Sequence, residues 1–261
     1  MKSLRILFRN FYLSLFGSIK RPSNSIHVLN GHYISKDSTS DDYRKFESLL
    51  KSLNQYFTFV KFEYACELIS NKTEVDRPLL AFTFDDGFKC CYEIIAPLLE
   101  KYNTNGAFFI NPGVIESEIS YKKLFLDEQL KLNVDKDFMT WQQIIDLKSR
   151  GHVIGNHTQN HANLINLSDI EIAREIETGK KSLEDKLDYE CDYFAITYGT
   201  PSFFDDRAIT IGLLHHKKIF TSYEHERYFY KNNINVLARR HFEGSWPISH
   251  LKYFTSIVRV Y

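Results

Sequence analysis

Apolar and polar positions along this chain follow two periods. Leu4, Leu7, Phe8, Phe11, Leu15 and Ile19 keep helical spacing, as do Phe46, Leu49, Leu50 and Leu53 within 40–54. Such spacing gathers apolar side chains on one face of a helix. Strands are expected at 26–34 and at 57–61, with a helix over 62–69. Residues 78–84 form a nearly unbroken apolar run, the pattern of a strand buried on both faces. It stops at Asp85-Asp86-Gly87, after which a helix is expected over 88–102 and a strand over 106–110. Residues 111–139 show little periodicity and read as an elaborated loop. Thr140 is placed to cap a helix that ends near Arg150 and Gly151, and Ser168 opens a long helix with Asp169 and Glu171 in its first turn. Further strands are expected at 151–156, 192–197, 218–222 and 235–240. Asp205-Asp206 opens a helix whose dipole their charge complements, and a terminal helix follows Trp246-Pro247.

Strands alternating with helices predict a parallel sheet. About seven such units without an internal repeat or a Gly/Ser linker predict one α/β domain, a distorted (β/α) barrel more than an open sheet. The domain is expected over 26–261, preceded by a separate helical segment, 1–25. The composition agrees: 261 residues, 43% hydrophobic and 25% charged, are enough to bury a full core. Acidic and basic residues cancel at 33 each, which argues against a nucleic-acid binder. Cys66, Cys90, Cys91 and Cys191 form no C-x-x-C pair and no disulfide framework, so a reducing compartment is the simpler reading.

The amino terminus departs from the neutral average. Between Met1 and Lys36 there are six basic residues and no acidic one. Arg9 and Asn10 break the apolar core that a signal peptide needs, and no A-x-A-like site follows. The run is also short of the ~20 apolar residues that span a bilayer. Two readings are favoured, a cationic helix lying in a membrane interface through residues 1–21 or a helix packed on the domain, ahead of a cleaved signal or an anchor.

Two short strings carry candidate chemistry, and both follow predicted strands, where parallel α/β folds place their active sites. One is T-F-D-D-G at 83–87; adjacent carboxylates repel unless a cation or differing roles separate them. The other is H-T-Q-N-H at 157–161, whose histidines, four apart, are expected on the same side of a helical turn. One carboxylate with two imidazoles makes a facial triad with open positions, the mark of a catalytic metal. The second carboxylate is then free to act as a base.

Through these strings, in this order and about 70 residues apart, the chain over 26–261 resembles the polysaccharide deacetylases with the NodB homology domain, a carbohydrate esterase family. The resemblance implies a distorted barrel of fewer than eight strands. It implies Asp85 as catalytic base, and Asp86, His157 and His161 as ligands of one divalent metal. Zinc is the expected ion, and cobalt, nickel or iron suit the same donors. The family's third motif has its counterpart in Phe194-Ala195-Ile196-Thr197-Tyr198-Gly199. Tyr198 and Gly199 match, and the Tyr198 N–H is expected to help stabilise an oxyanion. Ala195 stands where many members carry an arginine that orients the base; Arg239 or Arg240, at the end of a late strand, is the candidate replacement. The motif that supplies the acid has no clean copy. His241, just past a predicted strand, is preferred over His250. His32, in Asn30-Gly31-His32-Tyr33, is expected to border the site as a substrate or supporting group.

The resemblance implies metal-assisted hydrolysis of an N-acyl group on an amino sugar, with acetate the default product and formate the alternative. Without a recognisable signal, the expected place is the cytoplasm or the inner face of a membrane, ahead of a secreted or anchored form, and the expected substrate is a glycan or its lipid-linked or nucleotide-linked precursor in surface-glycan biosynthesis. The competing reading is a glycan-binding protein that kept the fold and lost catalysis, as Ala195 and the unclear acid suggest.

Overall fold

The computed structural model describes residues 2–35, 41–132 and 136–261, and of 2–6 the backbone alone. Helix α1 (Lys2–Ile19) leads into β1 (Ile26–Gly31), α2 (Asp42–Leu53), β2 (Thr58–Phe59), α3 (Phe62–Ser70) and β3 (Leu79–Phe84). Next come α4 (Ala96–Lys101), β4 (Gly106–Ile110), α5 (Ile119–Leu124), α6 (Trp141–Ser149), β5 (Val153–Asn156) and α7 (Asp169–Leu187). The chain ends with β6 (Tyr193–Ala195), α8 (Asp206–His215), β7 (Lys218–Thr221), β8 (Val236–Ala238), β9 (Arg240–His241) and α9 (Ile248–Thr255).

Eight strands follow one another in the order β8-β7-β6-β5-β4-β3-β1-β9, with β2 paired to the start of β3. Every pairing in this path is parallel. The two ends of the path, β8 and β9, are halves of one segment that bends at Arg239. The Arg239 N–H donates to Thr221 on β7, and three residues later the Phe242 N–H reaches Asn30 on β1. This bend nearly closes the sheet into a barrel of parallel strands, as the alternation of elements predicts.

Strand parity sorts the core. Ile26, Val28, Leu79, Ala81, Ala107, Phe109, Val153, Ala195, Phe220 and Leu237 meet in one buried cluster, into which α3 inserts Phe62. Leu29, Leu80, Phe82, Phe84, Phe108 and Ile154, one residue out of phase, pack instead under the surrounding helices. Successive side chains of a strand point to opposite faces, so the first set fills the barrel and the second coats it. The caps read from the sequence are present: Thr140 with Gln143, and Ser168 with Glu171, form reciprocal capping boxes. Asp205 accepts from the Arg207 N–H at the start of α8.

Several boundaries differ from the predicted ones. The 26–34 strand stops at Gly31, and 57–61 yields only two paired residues. Ser40, the predicted start of α2, lies outside the described residues. The helix over 88–102 widens into a π-turn at Cys91–Ile95 before α4, because Pro97 has no N–H for the α-ladder. The stretch 111–139 is not purely loop: it holds α5 and a π-turn, Phe125–Gln129. Helix α1 packs against α9, so the packed reading of the amino terminus holds for one of its faces. A Cβ on Gly17 would stand 1.9 Å from the Ser249 carbonyl oxygen, which shows how closely the two helices approach. No helix among the described residues is long and apolar enough to cross a membrane.

Candidate active site

The inward parity that fills the barrel continues past the strand ends, but its residues turn polar. Ile26 and Val28 lead to Asn30 and His32; Leu79 and Ala81 lead to Thr83 and Asp85; Val153 leads to His157; Phe220 leads to Ser222; Leu237 leads to Arg239 and His241. Except for Thr83 and Arg239, which lie beneath it, these polar residues line one cleft of about 350 Å³, together with Asp86, His161 and Tyr198.

Asp85 and Asp86 adjoin in sequence but occupy different electrostatic surroundings. The Asp85 carboxylate receives a bidentate pair from Arg239, Nη1 at 2.8 Å and Nη2 at 2.9 Å. Arg239 is fully buried, bonds Thr83 Oγ1 at 3.1 Å, and lies over the Phe109 ring. Burial opposes the Asp85 charge, yet the Arg239 guanidinium holds its carboxyl below the usual carboxylate range. Asp86 has no such partner. Its backbone sits in the left-handed region, φ 72°. Burial, and then the Asp85 charge, push its carboxyl well above the ordinary range.

The two histidines converge on Asp86. Each Nε2 stands 3.5 Å from Asp86 Oδ1, and His157 Nε2 is 4.0 Å from Asp85 Oδ2. Asp86 Oδ1 is buried and receives no hydrogen bond. His157 Nδ1 lies 2.7 Å from the Ala195 carbonyl, so it carries the proton and leaves the Nε2 lone pair free. Burial lowers the pKa of both imidazoles, and at His161 the neighbouring His157 adds to the effect; both are therefore held neutral. One ligand atom from each of Asp86, His157 and His161 lies within 4.8 Å of the others. Donors bound to a common ion at ~2.0–2.2 Å stand about 3–3.5 Å apart. An orphaned carboxylate oxygen facing two neutral imidazoles fits a divalent cation.

The histidine string is not a helical turn. Residues 157–161 form a loop in which Thr158 and His161 take positive φ, 63° and 54°. Asn111 Nδ2 donates to the carbonyls of His157 and Thr158. From α7, Glu175 accepts from both the backbone N–H and the side-chain amide of Asn160 at 2.8 Å. These bonds supply the order that helical hydrogen bonding would otherwise give.

The other expected residues separate. His241 lines the cleft, half exposed, with its ring 5.5 Å from that of His32 and edge-on to Trp246. Burial lowers the His32 pKa to about 4. The Tyr198 ring lies edge-on to His161 at 4.6 Å, and its hydroxyl donates to the Gln129 carbonyl, tying the 111–139 segment to the cleft. Gly199 does not line the cleft. It is a turn residue at φ 65°, where a Cβ would meet Ser222 at 2.7 Å. Arg240 is out of phase and points outward, over the Phe254 ring of α9. His250 is also remote, held against α1 by Ser14 Oγ at 3.2 Å and the Asn10 carbonyl at 3.3 Å. Asn30, Ser222, Leu130, Leu132 and Glu243 line the cleft without having been singled out. Asn30 and Ser222 were recoverable from parity; the leucines carried no signal.

The chain is thus a parallel barrel with a buried cluster of carboxylates and imidazoles at its strand ends, of which Asp86, His157 and His161 could hold a metal ion. The family model for polysaccharide deacetylases matches residues 72–213, more than half of the chain. This chain belongs to that family of carbohydrate deacetylases. Among solved structures, IcaB from Ammonifex degensii is similar at a TM-score of 0.66 and 21% identity, over 91% of this chain and 99% of that one. The deacetylase PplD of Streptococcus pyogenes, solved with acetate, is similar at 0.65 and 18%, over 91% and 98%. A de-N-acetylase from Aggregatibacter actinomycetemcomitans is similar at 0.63 and 17%, over 88% and 99%. These likenesses establish the NodB-like fold. A search of the curated proteins found no match.

Proposed function

We propose that this deacetylase removes an N-acyl group, acetyl by default, from an amino sugar, using one divalent ion held by Asp86, His157 and His161. The observation that carries the reading is Asp86 Oδ1, buried, unbonded and equidistant from two neutral imidazoles. Zinc is the ion the donors favour first, with cobalt, nickel and iron also compatible. The chemistry such an ion supplies is Lewis acidity, which acidifies water and polarises a carbonyl.

The remaining work falls to the chain. Arg239 keeps Asp85 ionised in a buried place, and Asp85 accepts the proton of the attacking water. That charge comes at a loss of basicity, since an ideal base titrates near the working pH. The Tyr198 N–H donates to the oxyanion as it forms. His241, facing the cleft and open to solvent, protonates the leaving nitrogen, because an amine does not depart as an anion. His32 borders that proton path from the β1 side.

Arg239 also bears on the glycan-binding alternative. The missing arginine at Ala195 favoured it, and a guanidinium from another strand now sits on Asp85. The substrate we propose is a lipid-linked or nucleotide-linked amino sugar handled at the cytoplasmic side. The test is mass spectrometry of free, nucleotide-linked and lipid-linked N-acyl sugars after incubation with metal-loaded protein. Acyl release that is lost in Asp85→Asn supports the proposal. Binding of a glycan with no release from any substrate moves the protein to the non-catalytic reading.

A further inference from the structure

Helix α1 has two unlike faces. Leu13 and Gly17 are buried against α9, flanked by Asn10 and Ser14, which hold His250. Lys252 Nζ adds a bond to the Ser18 carbonyl at 3.0 Å. The opposite face is apolar and open. Leu7, Phe8, Phe11, Leu15 and Ile19 are exposed, Phe8 at 69%, Phe11 at 68% and Ile19 at 80%. At ~3.6 residues per turn these positions form one continuous stripe on the side away from α9. A single exposed leucine needs no explanation, but a contiguous apolar stripe with charge along its border marks a contact surface.

The border is basic. Arg9 on the helix and Lys20 and Arg21 just past its end are exposed, and residues 1–35 contain no acidic side chain. An apolar stripe edged by cations alone is complementary to anionic headgroups over acyl chains. A second copy of this chain would instead bring the same positive charges together. Position adds to the argument. The contact with α9 takes in Lys252 and Tyr253 and includes Ser249 and His250 of its first turn. That turn directly follows the segment that carries His241, Phe242 and Glu243 into the cleft wall. Trp246 links the two, with its ring edge-on to His241 at 5.8 Å and 6.2 Å from His250.

We infer that the open face of α1 docks the barrel onto an anionic bilayer, with the cleft mouth beside the headgroups, so that a membrane-borne glycan is presented to it. The docking surface stands on the helix alone; only the membrane-borne substrate rests on the hydrolase reading above. The experiment is co-sedimentation of the full chain with vesicles of phosphatidylcholine and with vesicles containing one third phosphatidylglycerol. Binding is expected to the anionic vesicles only and to weaken as salt rises. Phe8→Ser/Phe11→Ser/Leu15→Ser is expected to lose it while keeping the wild-type melting temperature. Leu214→Ser, at an exposed apolar position of α8, is expected to bind like the parent. Equal sedimentation of the triple variant and wild type overturns the inference. So does a dimer, seen by light scattering, that dissociates in the triple variant without vesicle binding by either protein. Vesicle binding is measured without substrate, so its failure is separate from failure to release acyl groups. If both succeed, release from a lipid-linked sugar in vesicles is expected to fall in the triple variant while release from a soluble sugar is unchanged.

Discussion

The two walls of the cleft are built differently. On the β3–β5 side, Asp85, Asp86, His157 and His161 are all buried, and neighbours fix three of them: Arg239, the Ala195 carbonyl, and the Asn111 and Glu175 supports of the histidine loop. On the β1–β9 side, His241 is half exposed and held by ring contacts with His32 and Trp246. Burial strengthens electrostatics and keeps competing water from a cation. A proton donor for a departing amine has the opposite need, since it must recharge from solvent after each turnover. The difference suits the proposed division, with ion binding and base chemistry on the buried wall and leaving-group protonation on the open one.

The largest effect is expected at the buried wall. His161→Ala should abolish most divalent-ion binding and with it all hydrolysis; unchanged metal content by elemental analysis would remove the ligand assignment. Asp85→Asn should keep the ion and lose turnover by roughly 10²–10⁴-fold, the usual cost of deleting a general base. Near-normal rates there would show that another group activates water. At the open wall, His241→Ala should slow amide hydrolysis strongly and an activated aryl ester much less, because a good leaving group needs no proton. Equal losses on both substrates would make His241 a binding residue and erase the contrast between the walls.

Smaller effects separate the adjacent arginines. Arg239→Leu leaves a buried carboxylate uncompensated and should cost about 3–5 kcal/mol of stability. Arg240→Ala, which removes an outward guanidinium over Phe254, should cost about 0.5–2 kcal/mol and spare turnover. A melting comparison of the two variants, with turnover measured on each, checks the parity that distinguishes them. Reversal of their order would mean that Asp85 does not depend on Arg239.

Local information settled a large part of this protein. The 78–84 run, the caps at Thr140 and Ser168, and the strings T-F-D-D-G and H-T-Q-N-H each depend on residues a few positions apart, so the alternating elements, the barrel and the site strings were legible in the chain. Deciding between Arg239 and Arg240 required more. Both lie at the end of the same predicted strand, and their places diverge only because closure of the barrel at residue 239 turns one inward with Leu237 and His241 and the other outward to α9. His250 met the same fate, since its neighbours Ser14 and Asn10 lie some 240 positions away in the sequence. The histidine string was legible as a pair of ligands but not as a loop, because its order comes from Asn111 and Glu175 on other elements. Helix α1 showed its apolar periodicity openly, yet that period cannot say which apolar side chains will find a partner. That choice is made by the close approach of Gly17 to Ser249. Contacts between distant parts of the chain fix side-chain direction and burial, and on these the proposed division of labour in the cleft depends.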